Sequence, residues 1–126
     1  MTIQRLKGGF SVCKLGSVPT VETGQFRFLS VTDGEISLVC ESESVPDFVT
    51  AREDGWRGFR VVGPLDFALI GVLSELSAVL AEEKIGIFVI STYDTDYIFV
   101  KKENFARACD ALTRAGHIFT EESVGE

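Results

Sequence analysis

Residues 85–101 read IGIFVISTYDTDYIFVK. The first part, 85–92, is a continuous apolar run of buried-strand length, and 96–101 is rich in aromatic and β-branched residues. The two segments predict an antiparallel hairpin. Its turn contains no Gly or Asn, the residues that short hairpin turns favour. Instead it gathers two threonines, two tyrosines and two carboxylates within Ser91–Tyr97.

Working outward, residues 58–63 (GFRVVG) are short, β-branched and bounded by Gly, which predicts a strand ended by Pro64. From about Phe67 to Glu83, Leu69, Leu73, Leu76 and Leu80 fall on one helical face, with Asp66 placed to cap the helix. Beyond the hairpin, residues 103–115 return to helical spacing through Phe105, Ala108, Cys109 and Leu112. Gly116 stands where a helix C′ residue belongs. Residues 117–120 (HIFT) predict a last strand, and the tail after them is expected to fray. The order is strand, helix, strand, strand, helix, strand. That is the α+β, ferredoxin-like βαββαβ arrangement, with both helices on one face of a four-stranded antiparallel sheet.

The first half predicts an abbreviated version of the same unit. Residues 10–15 (FSVCKL) form a strand, and 16–25 have room for one helical turn at most. Strands at 26–31 and 35–40 flank Thr32-Asp33-Gly34, a hairpin signal. A short helix is expected within 44–54, opened by Pro46, and AREDGW at 51–56 reads as a linker. The resulting division is 1–57 and 58–126. The alternative is that the first half is an unrelated hairpin extension covering the open face of the second unit.

The chain has 126 residues, 45% hydrophobic and 25% charged, the balance of a soluble globular protein with a core. No apolar run reaches the ~18 residues of a membrane span, and no signal-peptide core is seen. The net charge is −7 and the acidic excess lies in the second half, which argues against nucleic-acid binding. Cys13, Cys40 and Cys109 are dispersed within apolar patterns and read as reduced core thiols in a cytoplasm. The single histidine, His117, reads as a strand-edge residue.

The chain contains no phosphate-binding loop, nucleophile elbow or zinc spacing. Asp94 and Asp96 stand two residues apart on one turn, which does not suit carboxylates that must flank a bond across a cleft. They also offer too few oxygens for a hard cation. No catalytic residue, metal or cofactor is therefore assigned. A different chemistry fits better. In a split βαβ sheet the first strand and the first strand of the hairpin leave the sheet at the same edge. The helix N-terminus near Asp66 would offer N–H groups to a carboxylate. The hairpin's oxygens would take an ammonium. A free amino acid has both ends. On the competing reading, Asp66 only caps the helix and the hairpin residues are ordinary solvated turn residues.

Residues 63–117, running from GPLDFALIGVLSEL through AEEKIGIFVISTYDTDYIFV to the second helix, resemble the ACT domain, a regulatory βαββαβ module. The closer resemblance is to stand-alone tandem ACT proteins, related to the ACT modules of aspartate kinases and to an animal cytosolic arginine sensor. It implies allosteric amino-acid binding rather than catalysis. It also implies side-by-side pairing of ACT units, within one chain or in a homodimer, with ligand at the seam and a regulated protein partner. Carried over by position, the ligand contacts are Asp66, Phe67 and Ala68 at the strand–helix loop. At the hairpin they are Ser91, Thr92, Tyr93, Asp94, Thr95 and Asp96. The alternative function is a protein-interaction module with no ligand.

Overall fold

A computed structural model describes residues 1–20, 23–62 and 71–121. Eight strands and two helices are defined. They are β1 (Thr2–Arg5), β2 (Phe10–Leu15), β3 (Arg27–Val31), β4 (Ile36–Glu41), β5 (Val49–Val61), α1 (Val72–Glu82), β6 (Ile87–Ser91), β7 (Asp96–Lys101), α2 (Phe105–Arg114) and β8 (Ile118–Glu121). The chain divides into two compact units, one of Met1–Lys7 with Arg57–Glu126, the other of Gly8–Trp56.

In the larger unit the strand order is β8, β1, β5, β7, β6. The expected ferredoxin-like α+β order is present, with one addition. The N-terminal strand β1 lies between the first and last strands of the motif, antiparallel to β5 and parallel to β8. Five strands therefore stand where four were expected. A polar four-residue strand at the chain start carries almost no periodic signal, which is why the sequence reading assigns TIQR to no element.

The core of this unit lies between sheet and helices. Ile3, Phe59, Val61, Ile98 and Val100 point to it from the strands, and Leu76, Leu80, Ala108 and Leu112 from the helices. Alternation along β5 and β7 turns Arg60, Tyr97 and Phe99 the other way. Helix α1 is described from Val72, and its N-cap is Gly71 at φ 87°. A left-handed residue marks the start of the described helix, and the cap expected at Asp66 falls outside the described residues. Residues 63–70 lie outside the described residues. Helix α2 ends as expected, at Gly116 with φ 102°. His117 N–H donates to Leu112 C=O and Gly116 N–H to Thr113 C=O, a Schellman pair.

The smaller unit has strand order β3, β4, β2, β5, all antiparallel. The helix expected within 44–54 is absent. A single 3₁₀ turn, Ser42–Ser44, is followed by β5 from Val49. The AREDGW segment belongs to that strand rather than to a linker. Its Ala and Glu favour helix and its Asp and Gly favour turns, but pairing with β2 overrides propensity. The misfit shows as register shifts along the pair and a positive φ at Gly55.

A repeat joins the descriptions of the two units. Residues 24–44 and 84–104 correspond at a constant offset of sixty positions. Gly24 and Lys84 both have positive φ, the hairpins turn at Thr32 and Thr92, and the 3₁₀ turns fall at Ser42–Ser44 and Lys102–Asn104. β4 and β7 share one burial pattern, with their three central residues from the third to the fifth buried.

Candidate functional site

The β6–β7 hairpin is fixed by its threonines. Thr92 N–H donates to Thr95 C=O at 2.8 Å, and Thr92 Oγ1 donates to the same carbonyl at 3.0 Å. This side-chain bracket does the work that Gly or Asn does in shorter turns. Ser91 Oγ donates to Asp96 Oδ1 at 2.5 Å across the last pair of the hairpin. Thr95 Oγ1 donates to the Val61 carbonyl at 2.5 Å. That bond ties the hairpin tip to the end of β5, while the segment that follows β5 lies outside the described residues.

Where the hairpin tip meets β5 there is a cavity of about 280 Å³, lined by Gln4, Arg60, Val61, Val62, Thr92, Asp94, Thr95 and Tyr97. Arg60 projects from β5 away from the helix-covered core. Its Nε donates to Gln4 Oε1 at 2.8 Å, and its Nη1 to Tyr97 Oη at 3.2 Å. The planar fork is thus oriented by a neighbour on each side, from β1 and from β7. Asp94 is exposed at the turn, and no hydrogen bond or ion pair to its carboxylate is found among the described residues. A guanidinium, a carboxylate and three hydroxyls therefore line one hollow. That donor and acceptor set can hold a small zwitterion by both ends.

Of the residues expected from the sequence, Thr92, Asp94 and Thr95 line the hollow. Ser91 and Asp96 instead bond each other, and Tyr93 is 84% exposed at the tip. Asp66, Phe67 and Ala68 lie outside the described residues. Sequence reasoning missed Arg60, Gln4 and Tyr97. The one available signal was the alternation Phe59-Arg60-Val61, which puts a cation on the face opposite two core residues.

The remaining reactive side chains are part of the packing. Cys13, Cys40 and Cys109 are free and buried. Burial raises all three thiols, Cys40 to about 11, with the nearby Cys13 adding to the effect there. His117 is buried ahead of β8 rather than standing at a strand edge. Its Nε2 lies 3.4 Å from Glu75 Oε1. No helix among the described residues is long and apolar enough to cross a membrane.

The ACT domain family model matches residues 51–114, just over half the chain. This chain belongs to the ACT domain family. The human protein named cytosolic arginine sensor for mTORC1 subunit 1 is 27% identical over 105 residues, 78% of this chain. The ACT chain spans about a third of the length of the curated relatives it matches. A crystal structure of protein Atu0741 from Agobacterium tumefaciens is 29% identical, with TM-score 0.86, and covers 99% of this chain and 96% of its own. The aspartate kinase of Clostridium acetobutylicum, described as an allosteric enzyme, has TM-score 0.64 at 15% identity. The likeness covers 90% of this chain and 34% of the kinase. It is a likeness of fold.

Proposed function

We propose that this ACT protein is a non-catalytic regulator that binds a free amino acid in the Arg60–Asp94 hollow. The α-carboxylate meets the Arg60 guanidinium and the α-ammonium meets Asp94, with Thr92, Thr95 and Tyr97 bonding what remains. The observation that carries this reading is one small cavity lined by an oriented cation and a carboxylate that has no hydrogen bond or ion pair among the described residues. Its volume of about 280 Å³ lies just below the roughly 300–1,000 Å³ typical of ligand pockets, which suits one small metabolite.

The loop residues Asp66, Phe67 and Ala68 complete the site on this reading, and a second ACT unit seated against it closes the seam. The Gly8–Trp56 unit is itself read as an abbreviated ACT-like unit, on the strength of the sixty-residue correspondence. Ligand then acts by linkage. Binding at a hundredfold excess over Kd stabilises the binding-competent state by about 2.7 kcal/mol. A protein partner responds to the difference in affinity between the states. Relatives named as cytosolic arginine sensors support a cytoplasmic setting and make L-arginine the first ligand to try.

Thermal-shift measurement against the twenty amino acids tests the proposal. At least one should raise the melting temperature of the wild type. Asp94→Asn and Arg60→Met should each abolish that shift with little change in the unliganded melting temperature. No shift with any of the twenty, or a shift untouched by both substitutions, refutes the site. Co-purification of a protein partner with no ligand response would favour the interaction-module reading.

A further inference from the structure

In the larger unit, Ile87 and Val89 of β6 and Ile98 and Val100 of β7 share one packed cluster with Leu76 and Leu80 of α1. Their counterparts at the sixty-residue offset are Arg27 and Leu29 of β3 and Leu38 and Cys40 of β4. The registers agree. Arg27 lies opposite Cys40 and Leu29 opposite Leu38, as Ile87 lies opposite Val100 and Val89 opposite Ile98. These residues therefore occupy the face that helices cover in the other copy. Residues 62–86, which hold α1, lead from β5 to β6. Residues 16–26 lead from β2 to β3, and no helix is found among those described. The face is left half covered. Ile36, Val45 and Val49 pack on its centre, where Cys13, Leu15, Leu38 and Cys40 are buried. Its outer row stays open, with Leu29 43% and Val31 60% exposed on the edge strand β3, and Phe48 48% exposed nearby. A cavity of about 330 Å³ lies at the Arg27 end of this row, with Val45, Pro46, Phe48, Glu43 and Asp47 in its lining. Both carboxylates are exposed, and neither makes a hydrogen bond or ion pair among the described residues.

We propose that this face docks one amphipathic helix of a partner protein, laid along β3 as a helix lies against β6 in the larger unit, and that the helix is basic along its flank. Three observations select the occupant. The repeat shows which element closes the equivalent face, and it is a helix presenting leucines. The open row offers what such a helix needs, since Leu29, Val31 and Phe48 form an apolar strip for side chains spaced i, i+3, i+4 and i+7. The charge at the cavity sets the flank. Two carboxylates stand there against one guanidinium, so lysines or arginines beside the apolar stripe are attracted and acidic residues repelled. A second copy of this chain fits poorly. Its two helices already bury their apolar faces in their own core, and α1 carries Glu75 and Glu82. The inference does not depend on the amino-acid reading of the Arg60–Asp94 hollow. It gives the regulated partner a surface on the smaller unit.

The probe is a labelled helical peptide of about 18 residues, five turns, with leucine on one face and lysine on its flanks. Its binding to the full chain is read by fluorescence anisotropy without amino acids, so the presence or absence of an amino-acid response leaves the result standing. Saturable binding is expected. A version with glutamate for lysine, and a version broken by central prolines, should each bind at least tenfold more weakly. Leu29→Thr with Phe48→Ser should weaken the lysine peptide at least tenfold. Val31→Thr, a near-isosteric change on the same row, should weaken it severalfold with the melting temperature unchanged, which separates loss of the face from loss of the fold. Glu43→Gln with Asp47→Asn should remove the preference for lysine over glutamate. Ile118→Thr, at an exposed apolar position of β8, should change nothing. No saturable binding, or binding indifferent to Leu29, Val31 and Phe48, overturns the docking face. Equal binding of the proline-broken peptide overturns the helix, and equal binding of the glutamate peptide overturns the basic flank. A dimer in sedimentation that dissociates with Leu29→Thr and Phe48→Ser would put a second copy on the face and overturn the partner helix.

Discussion

The two hairpins, β3–β4 and β6–β7, are the same device held in two different ways. Both turn on a threonine whose hydroxyl brackets the turn. Thr32 does so with Gly34 and Glu35, and Thr92 with Thr95. Both follow a residue with positive φ, and both run into a 3₁₀ turn. What differs is the support. The β6–β7 hairpin follows helix α1, whose end is closed by Lys84 N–H to Ala81 C=O and Ile85 N–H to Leu80 C=O. Among the described residues the β3–β4 hairpin has no helix before it. There the Glu41 carboxylate accepts N–H bonds from Gln25 and Phe26, each at 3.0 Å. Hydrophobic packing follows the same division. Among the described residues, the larger unit has a cluster that takes in both helices, and the smaller unit has one of strand residues, Cys13, Leu15, Leu38 and Cys40. A hairpin motif can thus be kept with its helices removed, provided polar groups take over the chain reversals the helices made.

The correspondence is sharpest at one pair of positions, and there the largest effect is expected. Val12 lies directly opposite Val39 in the smaller unit. Phe99 is the counterpart of Val39 across the repeat, and Gly58 lies against Phe99 as Val12 lies opposite Val39. A Cβ on Gly58 would lie 2.7 Å from Phe99 Cε1 and 3.3 Å from Leu6 Cδ1. Phe99 is fully buried and stacked on Phe88 at 4.8 Å, so it cannot withdraw. The ring fills the space that two valines share in the other unit. Gly58→Val should therefore destabilise the protein by about 3 kcal/mol. Gly58→Val with Phe99→Val, which installs the smaller unit's solution, should recover about half of that. A denaturation cycle over the four proteins measures the coupling. Additive costs would break the equivalence of the two pairs.

That pair also illustrates what the sequence conceals. Over the twenty-one repeated positions the two copies share Phe28 with Phe88, Thr32 with Thr92, Glu43 with Glu103, and no other identities. The repeat is carried by φ angles and burial, which a single sequence does not display. The hairpins and α2 were legible because their periodicity is strong and Gly116 marks the helix end. β1 and the AREDGW half of β5 were not, because long-range pairing imposes strand on segments whose composition points elsewhere. The site divides in the same way. Asp94 and the threonines announce themselves as polar groups on a turn. Arg60 is hidden inside an apolar run, and only the register of β1 and β7 reveals that it joins them.

The residues with positive φ give a smaller effect, of opposite sign in the two copies. Lys84 has φ 59°, a conformation that costs a non-glycine residue about 1 kcal/mol. Lys84→Gly should raise stability by up to about that amount. Gly24, at φ 87°, has Glu41 Oε1 2.6 Å and Ser44 Oγ 2.8 Å from where a Cβ would stand. Gly24→Ala should lower stability by about 1–2 kcal/mol, since it strains the backbone and displaces the carboxylate that holds Gln25 and Phe26. Urea midpoints of the two variants test both signs together. Equal effects at the two positions would mean that the carboxylate contributes nothing a helix end does not.

The smallest effect concerns pH. In the helix-free unit Asp54 accepts hydrogen bonds from the fully buried Ser11 hydroxyl and, at 2.8 Å, from Arg52. The Ser11 bond first, and the Arg52 bond second, lower its carboxyl below the ordinary value of 3.8. A carboxylate whose folded pKa is depressed adds stability that is fully present above its unfolded pKa. That stability is lost as pH falls through the folded value. Acid should therefore loosen the smaller unit before the larger one. Hydrogen exchange measured downward from about pH 5 should show β2 and β4 amides losing protection while α2 keeps its own. Asp54→Asn removes the titrating group and should flatten that dependence, at the cost of a weaker bond to Ser11 at neutral pH. If β2 and α2 amides lost protection together, the two units would unfold as one, and the polar substitutions that replace the helices would not constitute a separate, acid-sensitive part of the fold.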